Sequence, residues 1–218
     1  TFAARSLMSY LNKFEIETSY GIKAWKRWGN TAEQIIKSNP YVLCIQGVDL
    51  SFSRADAVAA KSDIPADSEC RIKAGITYIL RQNADQGHTC LPLDSLVKTA
   101  VSYLDVDEKL IKKVIEDETE EENLYYYDKH GRRFVMLADF YKAEDYIARR
   151  LAIMRQISYD NKIDFSEVID LEEENNGIQY EKIQREAINL ALSKGFLVLT
   201  GGPGTGKTTT LNAIISLY

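Results

Sequence analysis

At 218 residues, 45% of them apolar and 27% charged, the chain is long enough to bury one or two hydrophobic cores. No run approaches the roughly 18 apolar residues of a membrane span, and the first residues lack the basic-then-apolar pattern of a signal peptide, so no membrane is expected and the cytoplasm is the expected compartment. A net charge of −5 excludes a whole-surface nucleic-acid binder and confines any such contact to local patches.

Short amphipathic helices fill the first half. Leu7, Met8, Leu11 and Phe14 make one apolar stripe, Ile72, Ile76, Ile79 and Leu80 a second, and Leu93, Leu96, Val97, Ala100, Val101 and Leu104 a third. Turn and capping chemistry separates them at Gly21, "WGN", "SNPY", "QGVDLSFS", "DIPAD" and "QGHTCLP". A helix follows over about 107–119. Then Leu124 to Tyr127 and Phe134 to Leu137 read as two β runs around a Gly-containing polar turn, a β-hairpin. Helices, a hairpin and a further helix bearing Ile147, Leu151, Met154 and Ile157 suggest a winged-helix-like unit. The acidic, turn-rich "SYDNKIDFSEVIDLEEENNG" reads as a connection. The expected division is 1–88 helical, 89–158 winged-helix-like, 159–178 linker and 179–218 the start of a nucleotide domain. Cys44, Cys70 and Cys90 are odd in number and far apart, so they read as reduced thiols; Cys70, His88 and Cys90 lack a fourth metal ligand at local spacing.

Near the C-terminus, "LVLTGGPGTGKTTTLNAIISLY" holds G-x-x-x-x-G-K-T, with Gly201, Gly206, Lys207 and Thr208 at the defining places. Phe196 to Thr200 suits a buried strand and Thr208 to Leu217 a helix, the context that this motif needs. Gly202, Gly204, Thr205 and Gly206 would point backbone N–H groups at phosphate oxygens, with Thr209 in the following first turn. Lys207 would reach the β- and γ-phosphates, and the Thr208 hydroxyl would ligate Mg²⁺; these two are the expected catalytic pair. ATP and Mg²⁺ are the expected cofactors.

"SNPYVL", "RADAVA", "RIKAGITYIL", "GHTCLP", "FYKAEDYIARRL" and "LTGGPGTGKTTT" together resemble the RecD-like helicases, long form with an N-terminal extension. The resemblance implies an ATP-dependent 5′→3′ DNA helicase of superfamily 1, of the exodeoxyribonuclease V alpha subunit family, acting in recombination and repair. It implies that Gln184, on a helix ahead of the loop, reads the adenine edge. It further implies that the chain is cut just inside its first motor domain, without the acidic Mg²⁺ motif and arginine finger, and is inactive by itself. The implied fold is mainly α: a helix-hairpin-helix-like bundle, a winged-helix-like unit with one β-hairpin, then the first strand, loop and helix of a P-loop α/β domain. The alternative is a non-catalytic DNA- or protein-binding scaffold.

DNA, as a single strand or a junction, is the implied partner; other recombination proteins are not specified. Lys23, Lys26 and Arg27, interleaved with Trp25 and Trp28, suit phosphate pairing and base stacking, although two core tryptophans with a solvated basic face explain the pattern equally. Lys129, Arg132 and Arg133, with His130, make the densest basic cluster, at the hairpin tip. One departure from the helix-hairpin-helix pattern stands out. Gly47, Val48, Asp49 puts a carboxylate where a second glycine is usual, which would repel a phosphate.

Overall fold

The computed structural model describes residues 2–157 and 165–218. They form two compact units, residues 1–141 and 142–218. The first holds seven helices: α1 (Phe2–Asn12), α2 (Thr18–Trp28), α3 (Ala32–Ser38), α4 (Phe52–Ala60), α5 (Glu69–Asp85), α6 (Leu93–Leu104) and α7 (Glu108–Glu120). It also holds β1 (Cys90–Pro92), β2 (Leu124–Lys129) and β3 (Arg132–Leu137), an antiparallel sheet in the order β1-β3-β2.

The apolar stripes read from the sequence face one core. Leu7, Leu11, Ile36, Leu43, Ile72, Ile76, Leu96, Leu104, Ile111 and Ile115 are essentially inaccessible within a cluster that runs on to Leu137. The core runs on across the division expected at 88/89. Helix α5 packs against α4 on one side of that boundary and against α6, α7, β1 and β3 on the other. Gly75 explains the close approach: a Cβ there would lie 2.6 Å from Leu104 Cδ2. Strand β1 escaped the sequence reading because three residues show no alternation, and pairing with Phe134 to Met136 alone defines it. At the hairpin tip both His130 and Gly131 take positive φ, 50° and 73°, the conformation of a tight two-residue turn whose twist suits antiparallel strands.

Between α3 and α5 a polar network fixes the packing. Arg71 donates from Nε to Asp56 Oδ1 at 2.7 Å and from Nη1 to the carbonyls of Ala66 and Leu104, while the Tyr41 hydroxyl donates to Asp56 at 2.5 Å. Lys73 is held by Glu69, Glu118 and Glu121. Burial pushes the Cys44 thiol up to about 12, as an inert core side chain requires. Among the described residues no cluster suited to a metal ion occurs, and no helix is long and apolar enough to cross a membrane.

Helix α8 (Ala138–Gln156) begins in the first unit and runs into the second, followed by α9 (Ser166–Asn176), α10 (Lys182–Ser193) and α11 (Lys207–Leu217). The expected apolar face of α8 is not covered by the described residues: Ile147 is 53% exposed and none of the helix is buried. The expected linker spans 159–178. Residues 159–164 of it, like the last residue of the 89–158 division, lie outside the described residues, but the rest contains α9. Ile169 of α9 is buried with Tyr180, Ile188 and Ala213, and Arg185 of α10 clasps Asp170 and Glu173. The acidic run that suggested a connection is thus one face of a packed helix. Phe196 to Thr200 pairs in no ladder, since among the described residues no strand lies beside it.

Candidate functional site

The loop between Thr200 and α11 is shaped by its glycines. Gly204 and Gly206 have φ of 76° and 75°, a region that side chains rarely enter. Gly206 is also where the backbone is approached most closely: a Cβ would lie 2.2 Å from Gln184 Nε2. No side chain caps α11, whose first residue is Lys207, so the N–H groups of its first turn have no intrahelical acceptor and carry the positive end of the helix. Thr210 anchors the turn from below, buried, with its hydroxyl donating to the Gly206 carbonyl at 3.1 Å.

Lys207 bends back over this loop. Its ammonium donates to the carbonyls of Gly201 and Gly202, at 2.7 and 2.5 Å, and Thr205 Oγ1 donates to Gly202 at 2.9 Å. Thr208 is exposed at the helix start, Thr209 partly so, and Gly202 has open space where a Cβ would stand. A cavity of about 520 Å³ lies alongside, walled by Ile183, Ala187, Leu199 and Gln184 on one side and by Gly201 and Gly204 to Lys207 on the other. The cradle therefore fits a nucleotide phosphate, with an apolar wall beside it for a base.

Gln184 is set by a capping box. Its carboxamide oxygen accepts from the Glu181 N–H at 2.9 Å and the Glu181 carboxylate accepts from the Gln184 N–H, which leaves the Gln184 amide at 3.4 Å from the Gly206 carbonyl. The structure thus joins Gln184 to the loop 22 residues on. Glu181, Ile183 and Thr210 were missed as lining residues. The capping pair Glu181 and Gln184 was the legible signal for the first, while burial of Thr210 has none.

The proposed DNA contacts all belong to the first unit. Lys26 and Arg27 are exposed on α2, Arg27 over the Trp28 ring at 5.9 Å, and Trp25 and Trp28 pack against the core. Lys23 is engaged elsewhere, donating to the Val48 carbonyl at 3.1 Å with Asp49 at 3.6 Å. At the hairpin tip Arg133 pairs with Asp128, whereas Lys129 and Arg132 are exposed without an ion pair among the described residues.

Asp49 takes φ of 64° in the place of a second glycine, and its carboxylate accepts from the Gly47 N–H at 3.0 Å. The N–H groups of Val48 and Asp49 bond to Ile45 and that of Leu50 to Leu43. Every N–H from Gly47 to Leu50 is thus satisfied within the protein, and the seat that such a turn offers an anion is filled by its own carboxylate. Asp49→Gly suits the positive φ while freeing the Gly47 N–H and releasing Lys23 from its ion pair, its bond to the Val48 carbonyl remaining. The expected result is tighter binding of duplex DNA with a salt slope steeper by about one to two phosphates. Anisotropy titrations at several salt concentrations measure this, and an unchanged slope would show that the hairpin stays away from DNA.

Comparison with known proteins agrees with the two halves of this description. Residues 1–90 match the family model described as ATP-dependent RecD2 DNA helicase HHH domain, and residues 184–218 match one described as AAA domain. Curated relatives include the RecBCD enzyme subunit RecD of Mycobacterium tuberculosis (strain ATCC 25618 / H37Rv) and that of Mycolicibacterium smegmatis (strain ATCC 700084 / mc(2)155), each 62% identical over 34 residues. Those residues are 16% of this chain but span only 6% of each relative's length. The chain thus carries a segment similar to the RecD2 helicase HHH domain at one end and a phosphate loop similar to that of an AAA domain at the other.

Proposed function

We propose that the chain serves an ATP-dependent DNA helicase working 5′→3′ in recombination and repair, and that it supplies the site that grips ATP. The observation that carries this reading is the loop itself: Lys207 poised over Gly201 and Gly202, with Gln184 closing the same cavity. Bound ATP with Mg²⁺ would supply the phosphoryl group whose transfer drives the motor. Backbone N–H groups of 204–208 would hold the β- and γ-phosphate oxygens, Lys207 would exchange two carbonyls for the phosphates, and Thr208 would offer its hydroxyl to the metal. Gln184 has one amide edge committed to the Glu181 N–H and the other facing the loop, so a base sliding along Ile183 and Ala187 meets a donor of fixed orientation.

Binding and turnover separate here. Among the described residues the carboxylate lining the cavity is Glu181, already committed to capping α10, and Arg185 of the same helix is held by Asp170 and Glu173. A group to orient water and a free arginine to meet developing charge are both needed for fast transfer. Phosphate release by the 218-residue chain with Mg²⁺ and single-stranded DNA is therefore expected to stay below about 1 s⁻¹, the low end of ordinary enzyme turnover. Titration of the chain with a fluorescent ATP analogue tests the gripping function: saturable, Mg²⁺-dependent binding displaced by ATP is expected. Turnover well above that rate, absent in Lys207→Ala, would show a complete ATPase.

A further inference from the structure

The outer face of the first unit's sheet takes no part in the arrangements described above. Side chains alternate across a strand, so the register sorts β2 and β3 into two faces. Leu124, Tyr126, Val135 and Leu137 turn into the core, and the same alternation puts Asp128 and its partner Arg133 on that side. Three cross-strand pairs face the other way in a row toward the tip: Tyr125 with Met136, Tyr127 with Phe134, Lys129 with Arg132. Pro92 of β1, opposite Phe134, widens the row.

This face offers flat rings and unspent positive charge. Tyr127 is 47% exposed, with its ring centroid 6.4 Å from that of Phe134. Behind it Tyr125 lies parallel to Tyr141 at 4.1 Å, which stiffens the strip. Glu122 lies near Tyr125, at the end away from the tip; within β2 and β3 the one carboxylate, Asp128, is on the opposite face. Lys129 and Arg132 stand one alternation, about 7 Å, beyond the ring pair. One nucleotide can then stack its base on a ring and place its phosphate by a cation.

The chemistry selects the occupant. A duplex hides the faces of its bases, and the helix that a winged-helix fold usually lays in a groove is here α7. Its exposed Lys109, Lys112 and Lys113 are offset by Glu108, Glu116 and Glu120, and Lys112 is tied to Glu108 at 2.6 Å. Unpaired bases with a negative backbone are what aromatic rings flanked by free cations bind. We propose that the outer face of β1–β3, through Tyr127, Phe134, Lys129 and Arg132, is a stacking platform for single-stranded DNA. This rests on the reading of the chain as one that handles DNA, but it adds a site and a strand state to that reading.

The test is anisotropy titration of the whole chain against fluorescein-labelled oligothymidine and against a blunt duplex, between roughly 50 and 200 mM salt. Tyr127→Ala/Phe134→Ala is expected to weaken oligothymidine binding about tenfold or more with its salt slope unchanged, and to leave duplex binding unchanged. Tyr127→Phe, which keeps the ring, is expected to bind as the parent does. Lys129→Ala/Arg132→Ala is expected to reduce the slope by about 1.4, the share of two phosphates on a single strand. If circular dichroism shows the ring double variant unfolded, Tyr127→Ala alone, at a half-exposed position, is expected to lose severalfold. Parent-like affinity in a folded ring variant, or equal losses on single strand and duplex, overturns the platform while DNA handling stands. No oligothymidine binding by the parent overturns the platform and also the DNA-handling reading of this chain, while titration with the ATP analogue judges the nucleotide site separately.

Discussion

Replacing Lys207 by alanine is expected to abolish ATP-driven unwinding in a helicase that carries this chain, while DNA binding stays near the parent's. Among the described residues the ammonium bonds the Gly201 and Gly202 carbonyls at an exposed loop, so its loss disturbs no part of the buried core. What disappears is the charge that would pass from those carbonyls to the phosphates. A hydrogen bond to a charged group contributes about 1.5–3 kcal/mol, so ATP affinity should fall roughly tenfold to a hundredfold, with thermal stability shifted by no more than about 0.5 kcal/mol. Unwinding assays and ATP-analogue titrations on the same preparation separate the two effects. Near-parent unwinding would remove Lys207 from the proposed mechanism.

A second large effect is expected far from the loop, at Asp56. Its carboxylate neutralises Arg71, whose side chain is only 14% exposed, and accepts the Tyr41 hydroxyl. Asp56→Ala leaves a largely buried guanidinium and a phenol without their acceptor, and about 3 kcal/mol of stability should be lost, at the low end of the range for breaking a buried pair because Asp56 itself is partly exposed. For a chain of this size that corresponds to a fall of very roughly 6–12 °C in the melting midpoint of the first unit. The pH dependence gives an independent check. Burial raises the Asp56 pKa, but the Arg71 and Tyr41 hydrogen bonds and the Arg71 charge outweigh it, so the folded value lies below the usual one. A depressed carboxylate stabilises the fold above its unfolded pKa of about 3.9, and this contribution is lost as pH falls through the lower folded value. Parent and Asp56→Ala should therefore converge in stability as pH falls through the lowered folded value and differ fully above about pH 5. A constant difference across that window would mean that Asp56 acts through packing rather than charge.

Local pattern carried much of this protein in its sequence. The stripes from Leu7 to Leu104 mark which side of each helix is buried, because 3.6-residue periodicity records the environment of every turn. The spacing from Gly201 to Thr208 marks the phosphate cradle, because a Gly-rich turn ahead of a helix N-terminus has few other geometries. The hairpin was legible from its β-rich runs and from Gly131, but its strands run on to the tip, and only the observed register separates Asp128 from Lys129. Other features required the chain to meet itself. Nothing near Gly75 announces that α5 belongs with α6, since the fit depends on Leu104 arriving from 29 residues away. The acidic run of α9 looked solvated because Arg185, which neutralises part of it, lies beyond the next turn. Asp49 is a departure from a pattern in the sequence, but only the fold shows its carboxylate on the Gly47 N–H with Lys23 beside it. Periodicity and backbone freedom are properties of neighbours along the chain and are written there; partner choice for buried charge, close helix approach and strand pairing depends on residues brought together by the core, and tertiary structure alone decided them.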